Sequence, residues 1–186
     1  MEIFEYLMVM VSIILGLGVT QTLRGLSKIA RSPKTYLPVT IWAITLFYLH
    51  IQVWWSLWDT VAVVSWTQPY FYLLVAIPCS LFGATELLLP MGNSPDTNWE
   101  SHFFGVRKWF IGAFCVFAAL ATLETYVFLG TPLTHPYRII QAIIITAVVA
   151  GFFTENRTVH VWTSATVLGS LLVGQALFRL TPGLGD

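Results

Sequence analysis

Residues 38–60 read PVTIWAITLFYLHIQVWWSLWDT, an apolar stretch whose one formally charged residue, Asp59, stands at its end. A helix needs about 20 mostly apolar residues to cross roughly 30 Å of hydrocarbon, and this stretch supplies them. Five further stretches have the same character, at 4–26, 69–90, 107–129, 137–154 and 158–179, the fifth span (137–154) being the shortest of the six. The sequence therefore predicts an all-α, polytopic membrane protein: a bundle of six transmembrane helices forming one domain over residues 1–186, with no soluble domain.

Composition points the same way. Of the 186 residues 56% are hydrophobic and only 10% charged, with a mean hydropathy of +0.75, whereas ordinary soluble domains are about a quarter charged. A chain of this size leaves about 30% of its surface exposed, so the lipid bilayer is the expected partner. The formal charge is zero, which gives no basic bulk for a nucleic acid. Cys79 and Cys115 lie inside apolar runs and suggest no disulfide framework.

Proline marks the seams. Pro33, Pro38, Pro69, Pro90, Pro95, Pro132 and Pro136 all fall at or between span ends, where a missing N–H costs least. Pro78 falls inside the third span and predicts a kink there. In the longest loop, 91–106, Ser94-Pro95-Asp96 is a helix-start signal, which predicts a helix lying at the headgroups or extending the fourth span.

Basic residues give an orientation. Arg24, Lys28, Arg31, Lys34, Arg107, Lys108 and Arg157 gather on one side, while Arg138 and Arg179 fall on the other. Cytoplasmic loops carry the Lys/Arg excess, so both termini are expected on the non-cytoplasmic side of a cell inner (plasma) membrane. No positive leader or Ala-x-Ala site precedes the first span, which is expected to be retained. Trp54, Trp55, Trp58 and Trp66 toward one face, and Trp42, Trp99, Trp109 and Trp162 toward the other, read as interfacial belts.

Ionisable side chains in hydrocarbon need a partner, water or a neutral state. At 1.5 Å per residue, Arg24 lies ~13 Å and Glu86 ~9 Å to the cytoplasmic side of their span centres, a depth at which they can pair. His50 lies close to its span centre and Glu124 farther to the other side. Glu86 and Glu124 are too far apart to share one proton as a dyad. Glu124 shares its helical face with Phe110, Phe114, Phe117 and Phe128.

Residues three and four apart share a face, and four spans carry polar stripes. These are Thr45, Tyr48, Gln52, Ser56 and Asp59 in the second; Tyr72, Ala76, Cys79, Gly83 and Glu86 in the third; Ser12, Gly16, Thr20 and Arg24 in the first; His160, Thr163, Ser170 and Gly174 in the sixth. His50 falls opposite the second-span stripe. The fifth span shows only Gln141 and Thr146 and is expected to face lipid. Such stripes serve either close helix packing or a hydrated interior, and charges such as Arg24, Asp59 and Glu86 favour the latter.

No histidine pair sits at one depth for haem, and no lysine lies midspan for a retinal Schiff base. Zinc, nucleophile-elbow and phosphate-loop motifs are missing, so no catalytic, cofactor or metal residue is nominated and an enzyme is disfavoured. The expectation is a channel or transporter, as a homo-oligomer, moving an ion, proton or small solute through a polar interior or subunit interface. Arg24 and Glu86 would form an inner gate, Gln52 and Asp59 an outer lining, and His50 and Glu124 the titrating candidates. The alternative is a non-transporting accessory or sensor subunit that binds a partner membrane protein or lipid.

Overall fold

A computed structural model of the chain describes residues 3–60, 66–92, 97–128 and 130–178. Six helices follow one another: α1 (Ile3–Arg31), α2 (Leu37–Ser56), α3 (Gln68–Leu88), α4 (Trp99–Val127), α5 (Tyr137–Phe153) and α6 (Arg157–Phe178). All but α5 are long and apolar enough to cross a membrane. With 17 residues, α5 rises about 25 Å. Lipid gives the backbone no hydrogen bonds, so a helix that satisfies itself is the form such segments take.

The helix ends follow local chemistry. Pro38 and Pro69 occupy the first turns of α2 and α3, where a missing N–H leaves no bond unmade. A short 3-10 turn, Leu57–Thr60, follows α2. Gly130, with φ of 67°, turns the chain between α4 and α5. α4 begins eight residues before the expected start of its span and runs unbroken from Trp99, so the loop before it contributes two extra turns. Its cap is Asn98, whose Oδ1 accepts from the Ser101 N–H at 3.1 Å. The expected start signal, Ser94-Pro95-Asp96, lies outside the described residues. Pro78 sits buried within α3, and the carbonyl it frees belongs to Leu74, itself buried.

α2 is the central helix, packing against α1, α3, α4 and α6. Around it run α1, α3, α4, α5 and α6, with α3 on α4, α4 on α5 and α5 on α6. Alternating direction gives the bundle two ends. The terminal end holds the start of α1, the finish of α6 and the Tyr70–Glu124 contact. The basic end holds Lys28, Arg31, Lys34, Arg107, Lys108 and Arg157.

Apolar side chains fill the centre and also cover the outside. Val11, Leu46, Leu81 and Phe110 are fully buried, while Ile51, Trp109, Phe153 and Trp162 stand exposed. An apolar exterior on this scale needs lipid as its solvent. Trp42 meets Phe110 edge-on at 5.0 Å and Phe114 at 5.1 Å, locking α2 to α4. Trp42 and Trp99 are thus core residues and not members of the interfacial belt expected of them.

Two of the four stripes turn outward. In α1, Gly16, Thr20 and Arg24 are exposed, and the buried face is Leu7, Val11, Leu15, Gly18 and Gln21. In α3, Tyr72 and Cys79 are exposed, and the buried face is Tyr70, Leu74, Ile77, Leu81 and Leu88. Thr20, Thr45, Thr85, Thr122 and Thr146 each return their hydroxyl to the carbonyl four residues earlier. A hydroxyl satisfied within its own helix can face lipid at little cost. In α6, by contrast, His160, Thr163, Ser164 and Gly174 face inward, and Thr163 bonds across to Ala147 of α5 at 3.2 Å.

α1 and α2 come close at Gly18, where a Cβ would stand 1.9 Å from Nε2 of His50. Overpacking of this kind costs about 1–3 kcal/mol. Gly18→Ala is expected to lower stability by that amount in thermal unfolding in detergent. Gly16→Ala, which meets nothing within 4 Å, should be neutral or stabilising by up to ~1 kcal/mol, the helix propensity gain.

Candidate functional site

The last turns of α2 and α4 and the first turns of α5 enclose a cavity of about 130 Å³ in the terminal half of the bundle. Space of that size holds several waters or a solute of a few heavy atoms. Its polar lining comes from three helices: Gln52 and Ser56 of α2; Thr122, Glu124 and Thr125 of α4; Tyr137 and Gln141 of α5. Leu49, Ile77, Phe114 and Ile144 supply apolar walls.

Each polar group arrives by ordinary helical spacing. Gln52 and Ser56 are four apart on α2, and Glu124 continues the Phe110–Phe114–Phe117 face of α4 that packs inward. The hydroxyl of Tyr70 in α3 donates to Glu124 Oε1 at 3.4 Å, and Tyr70 is itself sandwiched by Phe128 and Trp66 at 4.1 and 5.4 Å. Arg138 of α5 ties two of the lining residues together. Its Nη1 donates to Gln141 Oε1 at 2.7 Å and Thr125 Oγ1 at 3.2 Å, and its Nη2 to the Thr131 carbonyl at 3.1 Å. Gln141 in turn donates from Nε2 to Thr122 Oγ1 at 3.3 Å. A carboxylate, two amides and several hydroxyls thus border one small space, with a guanidinium bonded to two of its lining residues, a set able to bind a polar or charged solute by hydrogen bonds.

The expected site residues separate. Gln52 and Glu124 meet at the cavity. Arg24 is exposed, and it makes no ion pair with Glu86 among the described residues. Glu86 instead borders a broad outward groove between α3 and α4, lined by Ser80, Gly83, Leu87, Ala113 and Val116, and accepts the Met91 N–H at 3.3 Å. The side chain of Asp59 lies outside the described residues, as does Arg179. His50 faces away from the cavity. It is fully buried against Gly18, with Nδ1 on its own helix's Leu46 carbonyl at 2.7 Å and Nε2 without a hydrogen-bond partner among the described residues. Among the described residues no three His, Cys, Asp or Glu side chains are grouped to hold a metal ion.

Sequence reasoning passes over several residues that matter. Gln141 sits on a helix expected to face lipid, and α5 does bury only one stripe, Ile140, Ile144, Val148 and Gly151, yet its first turns wall the cavity. The polar pair Arg138 and Gln141, three apart, is the signal for it. At the basic end, Gln21 donates to the Leu89 carbonyl and Lys28 to the Met91 carbonyl at 2.6 Å, so α1 caps the finish of α3. Arg107 is buried on the aromatic face of α4, which its spacing in Phe103, Arg107, Phe110 and Phe114 already marks. Near it, burial first and then the Glu100 charge raise the Tyr36 hydroxyl above the usual phenol range, against a lowering by Arg157.

No protein-family model, characterised protein or solved structure matches this chain.

The cavity makes a direct prediction about water access. In a background with Cys79 and Cys115 replaced by serine and alanine, Gln52→Cys and Gln141→Cys should react with a small cationic thiol reagent. Leu46→Cys and Leu81→Cys, at fully buried positions, should stay unmodified over the same minutes. Equal labelling at all four positions would contradict a cavity confined to the terminal half.

Proposed function

We propose that this protein is a carrier that binds a small polar solute, proton or ion in the terminal-end cavity and passes it across the bilayer. The observation that supports this reading is the convergence of Gln52, Glu124 and Gln141, from three different helices, on one space. Helix packing uses small residues and amide or hydroxyl bonds between helices but does not call for a carboxylate. Intramembrane ionisable groups at a cavity are the usual mark of a substrate or proton path.

The closed half favours a carrier over an open channel. Trp42, Leu46, Leu81 and Phe110 pack the space between the cavity and the basic end, so passage needs a second conformation. Binding sites reached alternately from two sides are the working principle of secondary transporters. With the Lys/Arg excess in the cytoplasm, the cavity faces the outside of a plasma or inner membrane.

The same packed half favours a second reading, an accessory or sensor subunit that binds within the membrane and moves nothing. Proteoliposomes on a solid-supported membrane, challenged with concentration jumps of protons, potassium and ammonium, separate the two. A carrier gives charge displacement that falls about 10- to 100-fold in Glu124→Gln or Gln52→Ala, the range set by losing a hydrogen bond to a charged group. Glu86→Gln, on the outward groove, should leave it unchanged. Silence to every jump, with the folded protein intact by size exclusion, would abandon a proton or monovalent-cation carrier and favour the subunit.

A further inference from the structure

The cavity leaves the buried guanidinium at the opposite end unexplained. Arg107 is 3% exposed, and a guanidinium has five N–H donors and keeps its charge at any physiological pH. Nη2 donates to Glu155 Oε1 at 3.4 Å, while Nε and Nη1 have no hydrogen-bond partner among the described residues. Glu155 is a loose counter-ion. Its side chain is 82% exposed, and close charge-assisted pairs stand at 2.7–2.9 Å. A buried charge compensated so thinly is far more costly than a surface one.

The surroundings suit an anion. Phe104 carries Arg107 over its ring at 5.7 Å and meets the rings of Tyr36 at 5.9 Å and His160 at 5.5 Å. The buried Tyr36 hydroxyl also has no partner among the described residues. Lys108 is exposed beside this cluster, and Arg157, paired with Glu100, stands exposed at the start of α6. Planar guanidinium donors fit the oxygens of a phosphate in pairs, and basic pockets between helices at a membrane face take phosphate-bearing headgroups.

We propose that Arg107 is the anchor of a phosphate-binding site at the basic end, in which the ligand's phosphate group displaces the Glu155 carboxylate and engages the unused guanidinium donors. The phosphate belongs either to an anionic lipid headgroup or to free phosphate, and the site stands whether or not the cavity transports.

The test is thermal unfolding of the purified full chain in neutral detergent, titrated in one arm with dioleoylphosphatidylglycerol and in another with inorganic phosphate against chloride at matched ionic strength. The lipid, the phosphate or both should stabilise the wild type saturably. Glu155→Gln, which removes the competing carboxylate from an exposed position, should lower the half-saturating concentration about fivefold, the scale of one basic-residue contact. Glu86→Gln, which removes the same charge at the same end but on the α3–α4 groove, should change it less than twofold. Arg107→Gln should abolish the response and Lys108→Gln should keep it. Saturation by the lipid alone assigns the phosphate to a headgroup, and saturation by inorganic phosphate assigns it to the free ion. The proposal is overturned if neither ligand stabilises the wild type, if Glu155→Gln and Glu86→Gln respond alike, or if Arg107→Gln binds like the wild type. Should Arg107→Gln not fold, the two glutamate variants decide the matter.

Discussion

Everything else in the bundle is arranged around the wedge of Trp42 between Phe110 and Phe114. Between helices in lipid there is no water to expel, so association rests on shape, dispersion and the hydrogen bonds left over. A tryptophan set edge-on to two phenylalanines gives α2 and α4 a fixed mutual position, and α2 is the helix that most of the others touch. The wedge also fills the basic half of the interior. Polar groups line a cavity at one end, with Gln52, Glu124 and Gln141, and Arg107 and Tyr36 stand buried at the other, while Thr45 and His50 are buried between them.

The number and position of the helices were legible because the cost of an exposed peptide group in hydrocarbon dominates every other preference. Which face of each helix turns inward was not. These helices are apolar on all sides, so periodicity has little contrast to report. Gly16, Thr20 and Arg24 form a regular polar row on α1, yet the row faces outward because Thr20 bonds its own helix at Gly16 and Arg24 stands near the basic surface. Glu86 follows the same pattern on α3. Polar rows are informative where a side chain bonds across to another helix, as Gln141 does to Thr122 and Arg138 to Thr125. Arg107 shows the converse: its place in an aromatic repeat outweighed its charge, and the repeat was visible in the sequence from the start.

The basic end is tied more tightly than its loops suggest. Gln21 and Lys28 of α1 bond the carbonyls that close α3, and His102 of α4 bonds the Leu88 carbonyl at 3.0 Å. Ser32 reaches the Thr97 carbonyl at 3.3 Å. These contacts join α1, α3 and α4 at a point where each helix finish would otherwise leave carbonyls without donors. A rearrangement that opens the cavity to the basic end has to leave this lattice whole or exchange its bonds for others.

The brevity of α5 has a consequence for the surrounding membrane. A wall some 25 Å tall falls short of the acyl layer, and the bilayer accommodates such a shortfall by thinning locally, at a cost of fractions of a kcal/mol per Å. Thinning of that kind along α5 would bring headgroups and their water closer to the Gln141 side of the cavity. Acyl-chain length thereby becomes a control on this molecule in its own right: short-chain lipids relieve the mismatch, and long-chain lipids press on the wall beside the cavity.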